Sequence, residues 1–149
     1  MLVQDLMTRD VVTVPPDKTA LRALQICQEH RIRHLPVVDP SEGKLMGIVS
    51  DRDLRDAGPP LGASPARRET VLDRVWVVEM MHKVVITAHP SDLVEQAARE
   101  MNERRIGCLP IVSDEGELVG IVTASDILRA SVRFWEAVST MRSIFSPAG

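Results

Sequence analysis

Two short stretches of the sequence carry a hydroxyl and a carboxylate three residues apart. They are Gly-x-x-Ser/Thr-x-x-Asp motifs, with Gly47, Ser50 and Asp53 in the first and Gly120, Thr123 and Asp126 in the second. A hydroxyl just before a helix can cap its first turn, where free backbone N–H groups attract phosphate. A carboxylate about one turn further on can accept both hydroxyls of a ribose. The motif suits a sugar phosphate, although plain helix capping explains either copy taken alone.

Three clusters of arginine residues offer local sites for anions, at residues 31–33, 67–68 and 104–105. The whole chain is acidic, with a net charge of −3 and a pI of about 5.8, so no general positive field would hold nucleic acid. Aromatic residues make up only 3% of the sequence, too few for a base-stacking surface. Nucleic-acid binding is therefore not favoured.

The motif occurs twice because most of the chain is duplicated. At an offset of 74 residues, twelve positions between residues 3 and 38 meet an identical residue. A one-residue deletion in the following loop changes the offset to 73, and eight further identities lie between residues 42 and 57. Unrelated sequences of ordinary composition would match at roughly one position in sixteen.

Each copy predicts the same order of secondary structure. Short β-branched runs at residues 11–14 and 84–87 read as strands. Apolar residues at i, i+4 and i+7 then predict one helix face per copy: Ala20, Leu24 and Cys27 in the first, and Val94, Ala98 and Met101 in the second. Two hairpin strands follow in each copy, at residues 35–38 with 45–49 and at residues 109–112 with 118–122, and new helices begin at residues 51 and 125.

The order β-α-β-β-α, found twice, predicts an α/β (α+β) fold with a small mixed sheet in each copy. About 55 residues bury too little apolar surface to be stable alone, so the two copies should cover each other with pseudo-two-fold symmetry. The predicted domains are repeat 1 at residues 1–57, a linker with a short helix at residues 58–74, repeat 2 at residues 75–130, and a helical tail at residues 131–149.

The tail carries an apolar stripe formed by Val132, Trp135, Val138 and Met141. This stripe can pack on its own domain or against a second copy in a dimer, and the sequence leaves both possibilities open.

The repeats resemble CBS domains over nearly the whole chain, from about residue 3 to residue 130. Three motifs, each present twice, carry the resemblance: the segments ending at Met7 and Met81, residues 31–39 with the copy that begins at Arg105, and residues 47–53 with residues 120–126. The long middle linker and the helical tail are similar to stand-alone CBS proteins of the acetoin-utilisation type. The resemblance implies a disc-shaped Bateman module with two clefts between the repeats.

The family resemblance also implies a ligand and a role. CBS pairs bind AMP, ADP, ATP or, less often, S-adenosylmethionine in these clefts, and many of them form homodimers. We therefore expect a regulatory module that binds an adenine nucleotide, requires no cofactor or metal, and signals to a separate, unknown effector protein.

In the family, the ribose-binding aspartate of one repeat faces the first strand of the other repeat. One predicted site contains Ser50, Arg52, Asp53, Arg33, His34, Met81, Val84, Ile86 and Cys108. The other contains Thr123, Ser125, Asp126, Met7, Asp10, Val12 and His34. Arg33 and His34 resemble the family's phosphate-binding pair and stand in the same repeat as Asp53. We therefore expect the Asp53 site to be the tighter one for a phosphorylated ligand, and the Asp126 site to be weak, empty or suited to a less charged adenosine compound.

Other functions fit the sequence less well. Cys27, His30 and His34, with Cys108, could be considered for zinc, but Cys27 occupies an apolar helix position and reads as a buried hydrophobic residue. Catalytic triad and Walker-type motifs are absent, so an enzyme is not expected. The main alternative is a CBS pair that acts in dimerisation or docking without a physiological nucleotide.

The sequence also bears on location. No apolar run approaches the ~20 residues that a membrane span needs, and the first residues lack the pattern of a signal peptide. We expect a cytoplasmic protein.

Overall fold

A computed structural model of the chain describes residues 1–145. In this part of the chain there are seven helices and four strands. The helices are α1 (Val3–Leu6), α2 (Ala20–His30), α3 (Asp51–Asp56), α4 (Pro65–Leu72), α5 (Val77–Met80), α6 (Val94–Arg104) and α7 (Ala124–Phe145). The strands are β1 (His34–Val38), β2 (Leu45–Ser50), β3 (Cys108–Val112) and β4 (Leu118–Thr123). The duplicated α/β fold expected from the sequence is confirmed.

The first strand of each copy is shorter than the sequence predicts. Residues 11–14 and 84–87 form no strand of their own; only Val14 and Ala88 pair with a neighbour, each as a single parallel bridge. Val14 donates its N–H to the Pro36 carbonyl and accepts from the Val38 N–H, both at 3.0 Å. Prolines at positions 15 and 16 have no N–H to extend this pairing, which limits the ladder in the first copy to one residue.

Two antiparallel hairpins with the same register form the regular sheets. In the first hairpin His34 pairs with Ser50, and in the second Cys108 pairs with Thr123. Both hairpins shift register at the same place, between the fourth and fifth residues of their first strands. The shared register places the hydroxyl residue of each motif beside the first residue of β1 or β3.

The two copies exchange their first segments. Val77 and Met81, around α5, belong to the buried core of the first copy, whereas Val3 and Met7, around α1, belong to the core of the second. Backbone pairs fix the exchange, because His82 pairs with Ile48 in β2 through two hydrogen bonds of 2.9 and 3.0 Å. The same arrangement joins residues 8 and 121 on the other side. Neither copy has a complete core without the other.

The predicted apolar face is confirmed for α2 and only in part for α6. In α2, Ala20, Leu24 and Cys27 are buried as predicted, and the Thr19 side chain accepts a hydrogen bond from the Arg22 N–H at 3.2 Å at the start of the helix. In α6, Met101 is buried as predicted, but Val94 and Ala98 are half-buried and Ala97 is buried in their place. The linker helix α4 lies within the predicted linker and begins at Pro65, because Ser64 caps it and Pro65 fits its first turn.

The tail forms the second half of the long helix α7, which begins immediately after β4. Leu128, Val132, Trp135 and Met141 are exposed, with 67% of Leu128 and 64% of Trp135 accessible. The interpretation that the predicted stripe packs on its own domain is therefore wrong for Val132, Trp135 and Met141, while Val138 is half-buried. Contact with a second copy stays a prediction. The last four residues of the predicted tail lie outside the described part of the chain.

Candidate functional site

Two clefts of similar size lie between the copies, and each contains one of the two motif aspartates. The Asp53 cleft has a volume of about 460 Å³ and is lined by His34, Ile48, Ser50, Asp53, His82, Val84, Val85, Ile86, Arg105, Ile106, Gly107, Cys108 and Pro110. The Asp126 cleft has a volume of about 520 Å³ and is lined by Thr8, Asp10, Val11, Val12, Arg31, Ile32, Arg33, His34, Gly107, Ile121, Thr123, Ala124, Ser125 and Asp126. Each cleft combines the aspartate of one repeat with the first segments of the other, as expected.

In the Asp53 cleft the motif forms a reciprocal cap at the start of α3. The Ser50 Oγ accepts from the Asp53 N–H at 3.0 Å, and Asp53 Oδ2 accepts from the Ser50 N–H at 3.4 Å. The same Oδ2 lies 3.1 Å from His82 Nε2. Burial raises the pKa of Asp53, but the hydrogen bonds from Ser50 and the charge and hydrogen bond of His82 outweigh it and hold the pKa below its ordinary value. The carboxyl is thus ionised at neutral pH and able to accept hydroxyl groups.

In the Asp126 cleft the equivalent carboxylate is held more tightly. Its Oδ2 accepts from both the N–H and the hydroxyl of Thr123, each at 2.8 Å, and its Oδ1 lies 3.2 Å from Arg129 Nη1. Only 13% of the Asp126 side chain is exposed, compared with 36% for Asp53. The Arg129 side chain of this pair is 62% exposed, so solvent screens the contact from that side.

Arg33 lies in the Asp126 cleft and not in the Asp53 cleft, which corrects the expectation from the sequence. The segment that precedes β1 lines this cleft together with the first residues of α7 in the other repeat. The Arg33 carbonyl accepts a hydrogen bond from the Asp51 N–H of its own repeat at 2.9 Å. Arg31 lines the same cleft, and its left-handed backbone (φ 54°) ends α2 there. The Asp126 cleft therefore has two arginines, whereas the Asp53 cleft has Arg105 alone.

Three further predicted residues do not line a cleft. Met7 and Met81 are buried under the strands, where a Cβ at Gly120 would come within 2.6 Å of the Met7 Sδ and one at Gly47 within 2.7 Å of the Met81 Sδ. These glycines are needed because the sulfur atoms occupy the space that a side chain would fill. Arg52 points to solvent with 88% of its side chain exposed, next to Asp56 at 4.0 Å.

The other predicted residues lie where the sequence placed them. Val84, Ile86 and Cys108 line the Asp53 cleft with Ser50, and the set Asp10, Val12, Thr123 and Ser125 lines the Asp126 cleft. His34 was predicted at both sites and lines both clefts.

The CBS domain family matches residues 3–59 and 77–133, which is more than half of the chain and one match for each repeat. This chain belongs to the CBS domain family. A CBS domain-containing protein of Dictyostelium discoideum is 35% identical over 140 residues, covering 93% of this chain and 96% of that protein. A homoserine O-acetyltransferase of Methanococcus vannielii is 31% identical over 126 residues; the match covers 85% of this CBS pair but only 24% of that enzyme.

Solved structures of other CBS pairs share the fold. An acetoin utilization protein of Vibrio cholerae is 34% identical with a TM-score of 0.76, covering 94% of this chain and 96% of that one, which confirms the narrower resemblance. CBSX2 of Arabidopsis thaliana, solved with AMP, is 28% identical with a TM-score of 0.75, covering 89% and 97%. The CBS pair of protein MJ0100, solved with 5′-methylthioadenosine and S-adenosylmethionine, is 32% identical with a TM-score of 0.72, covering 87% and 94%.

Several cleft residues of this CBS pair were missed from the sequence. His82 and Arg105 in the Asp53 cleft, and Arg31 and Thr8 in the other, were not named as site residues. The duplication contained the signal, because at the offset of 74 Thr8 corresponds to His82 and Arg31 to Arg105. Applying the cross-repeat pairing to every residue of these segments would have found all four.

The two cysteines of the CBS pair are protonated at neutral pH. Burial raises the pKa of Cys27 to about 11 and that of Cys108 to about 12. A buried thiol of this kind is inert and a poor zinc ligand. Cys27 packs in the core of the first repeat, which confirms its interpretation as a buried hydrophobic residue.

Within residues 1–145, no helix is both long and apolar enough to cross a bilayer.

Proposed function

We propose that this CBS pair binds a phosphorylated adenosine nucleotide (AMP, ADP or ATP) in its Asp126 cleft and signals its occupancy to a separate partner. The observation that carries the proposal is the presence of Asp126, Arg31 and Arg33 in one cleft between the repeats. A carboxylate suits the two ribose hydroxyls, and guanidinium groups bind phosphate with a fixed charge and two parallel hydrogen bonds. This assignment reverses the order of affinity expected from the sequence.

The Asp126 cleft also offers an apolar surface for the adenine ring. Val11, Val12, Ile32 and Ile121 line it alongside the polar residues. A few placed polar groups within an otherwise apolar cleft are typical of small-molecule sites. The AMP complex of CBSX2 supports this choice of ligand, because that relative has the same fold.

The Asp53 cleft suits a less charged adenosine compound. By duplication Gly107 corresponds to Arg33, so the Asp53 cleft has no counterpart of the Arg33 guanidinium, while His34 lines both clefts. Arg105 is the one arginine in its lining. S-Adenosylmethionine and 5′-methylthioadenosine lack phosphate, and the complex of the MJ0100 pair with these two molecules supports a ligand of this class.

A ligand transmits a signal only through its different affinities for two arrangements of the module. Both clefts are lined by both repeats, so an occupant contacts the two halves at once. Small rotations of one repeat against the other would move α7, which continues directly from the Asp126 motif. We place the output of the module at this helix.

Isothermal titration with AMP tests the proposal, using Asp126→Asn and the matched variant Asp53→Asn. Both substitutions replace a capping carboxylate by an amide of the same shape, and thermal unfolding of the two variants accounts for the stronger cap at Asp126. We expect Asp126→Asn to weaken AMP binding at least tenfold and Asp53→Asn to leave it within about threefold, the tenfold loss corresponding to about 1.4 kcal/mol. Equal loss in the two variants would reject the assignment to one cleft.

A flat thermal-shift response to every adenosine compound would reject nucleotide binding as a whole. A ligand at one hundred times its Kd adds about 2.7 kcal/mol to the stability of the folded state, which such an assay detects. The docking module without a nucleotide would then be the better description.

The exposed face of α7 supports a homodimer, whether the module binds a nucleotide or acts in docking without one. Leu128, Val132, Trp135 and Met141 expose apolar surface along one helix, and such surfaces mark interaction sites. We expect sedimentation equilibrium to give a dimer for the protein and a monomer for Trp135→Glu. A monomeric protein at the concentrations used for ligand binding would contradict this part of the proposal.

A further inference from the structure

Among residues 1–145, only His34 and Gly107 are common to the linings of both clefts. They lie in contact: a Cβ built on Gly107 would come within 3.0 Å of the His34 Cε1 and 3.3 Å of its Nε2. The imidazole thus packs directly on the backbone of the other repeat, in the space that a larger residue would need. The residues equivalent by duplication, Cys108 and Arg33, each line a single cleft. The shared wall is therefore a feature of this pair of residues and not of the repeat as such.

The chemistry of imidazole makes this shared position significant. A neutral ring has one N–H donor, and a protonated ring has two and carries a positive charge. Burial lowers the pKa of His34; Asp51 opposes this effect, Arg33 adds to it, and Asp53 opposes it. The ring is therefore neutral at neutral pH without ligand. The other ionisable groups around it are Asp10, Arg31 and Asp126 on the side of one cleft, and His82 and Arg105 on the side of the other.

We propose that His34 takes up a proton when a nucleotide phosphate enters the Asp126 cleft, and that the resulting charge is presented to both clefts. The proposal rests on the nucleotide binding proposed above. A phosphate beside the ring favours the imidazolium, so binding and protonation strengthen each other. Because the same ring lines the Asp53 cleft, its protonation adds an N–H donor and a positive charge to the wall of that cleft as well. His34 thereby links the occupancy of the first cleft to the groups that the second cleft presents.

Proton uptake can be measured directly by titrating AMP at pH 7.5 in two buffers with different ionisation enthalpies. We expect a greater net uptake of protons by the protein than by His34→Gln, which keeps a hydrogen-bonding group without a titrating one. His82→Gln is the matched control, since it removes the histidine that lines only one cleft. The phosphate of AMP has its own pKa near 6, and the difference between the protein and the variant removes this contribution.

The pH dependence of affinity gives the second measurement. Uptake of one proton changes affinity by at most about tenfold per pH unit, so AMP should bind several-fold more tightly at pH 6.5 than at pH 8.0. In His34→Gln this change should shrink to that of the ligand alone. Gly107→Ala keeps His34 but pushes its ring away from the shared wall, and it should reduce the uptake as well.

An NMR titration of the His34 ring, with and without AMP, measures the pKa of this residue in the unaltered protein and needs no variant. We expect AMP to raise the pKa of His34. If AMP binds and neither the pKa nor the proton balance changes, the role of His34 is overturned while nucleotide binding stands. If AMP does not bind at all, the proposed function itself has failed.

Discussion

The Asp126 cleft and the Asp53 cleft are built on the same backbone and differ in their charged residues, which are Arg31, Arg33, Asp10 and Asp126 in the first and Arg105 and Asp53 in the second. Five equivalent positions are identical in type, namely Val11 and Val85, Arg31 and Arg105, Ile32 and Ile106, Ile121 and Ile48, and Asp126 and Asp53. The aspartates and their hydroxyl partners form the same cap in both clefts. Other equivalent positions differ: Arg33 and His34 correspond to Gly107 and Cys108, and Thr8 and Asp10 correspond to His82 and Val84.

This comparison separates what the fold requires from what the ligand requires. The aspartates cap α3 and α7, so their presence in both repeats is explained by stability alone. An arginine at position 33 is not needed for the cap, and its counterpart is a glycine in a cleft of nearly the same volume. Selectivity between the clefts therefore depends on residues such as Arg33, which have no role in capping a helix and differ between the two repeats.

The largest expected effect tests whether the two halves are one folding unit. Leu35→Ala and Leu109→Ala remove equivalent buried side chains from the two cores, and each should cost about 2–5 kcal/mol of unfolding free energy. Because α1 and α5 complete the cores of the opposite repeats, each variant should unfold in one cooperative transition in urea, followed by circular dichroism. Two separated transitions would show that the halves are independent.

The next effect concerns charge in the Asp126 cleft. Arg33→Ala should weaken AMP binding by about 1.5–3 kcal/mol, or roughly ten- to a hundredfold, because it removes a charged hydrogen-bond donor to the phosphate. Arg105→Ala removes the arginine of the other cleft and should leave this affinity within about threefold. Isothermal titration measures both. A greater loss for Arg105→Ala would reverse the assignment of the clefts.

The smallest effect concerns the pair of His82 with Asp53, since the other repeat has Thr8 in the position equivalent to His82. Asp53 has a lowered pKa in the folded state, so it contributes stability above its unfolded pKa, and this contribution is lost as the pH falls through the folded pKa. His82→Thr removes one cause of the lowering. We expect the stability lost between pH 5.5 and 3 to become smaller by less than about 1 kcal/mol, since the pair is largely exposed. Chemical denaturation at the two pH values provides the measurement, and an unchanged loss would show that the pair has no effect on stability.

Much of the fold was predictable because duplication doubles every signal. The apolar face of α2, the hairpins and both motifs are local patterns, and each appears twice with matching spacing. The length of the first strands was overestimated. Their β-branched residues favour an extended backbone, but a strand also needs backbone N–H groups for pairing, and the prolines that follow Val14 have none.

The distribution of charge between the clefts was not predictable from proximity in the sequence. Asp53 and Arg33 lie in one repeat, yet the exchange of segments directs Arg33 toward Asp126. Met7 and Met81 were misplaced for a related reason, because a methionine at a repeated motif position indicates packing in a core as readily as contact with a ligand. Which side of a segment faces a cleft depends on tertiary contacts that no local pattern contains.

The most direct test of this account is a crystal structure of the protein with AMP. We predict AMP in the Asp126 cleft, with its ribose hydroxyls on the Asp126 carboxylate and its phosphate within hydrogen-bonding distance of Arg33. A structure with the phosphate against Arg105 and no nucleotide beside Asp126 would contradict the central claim.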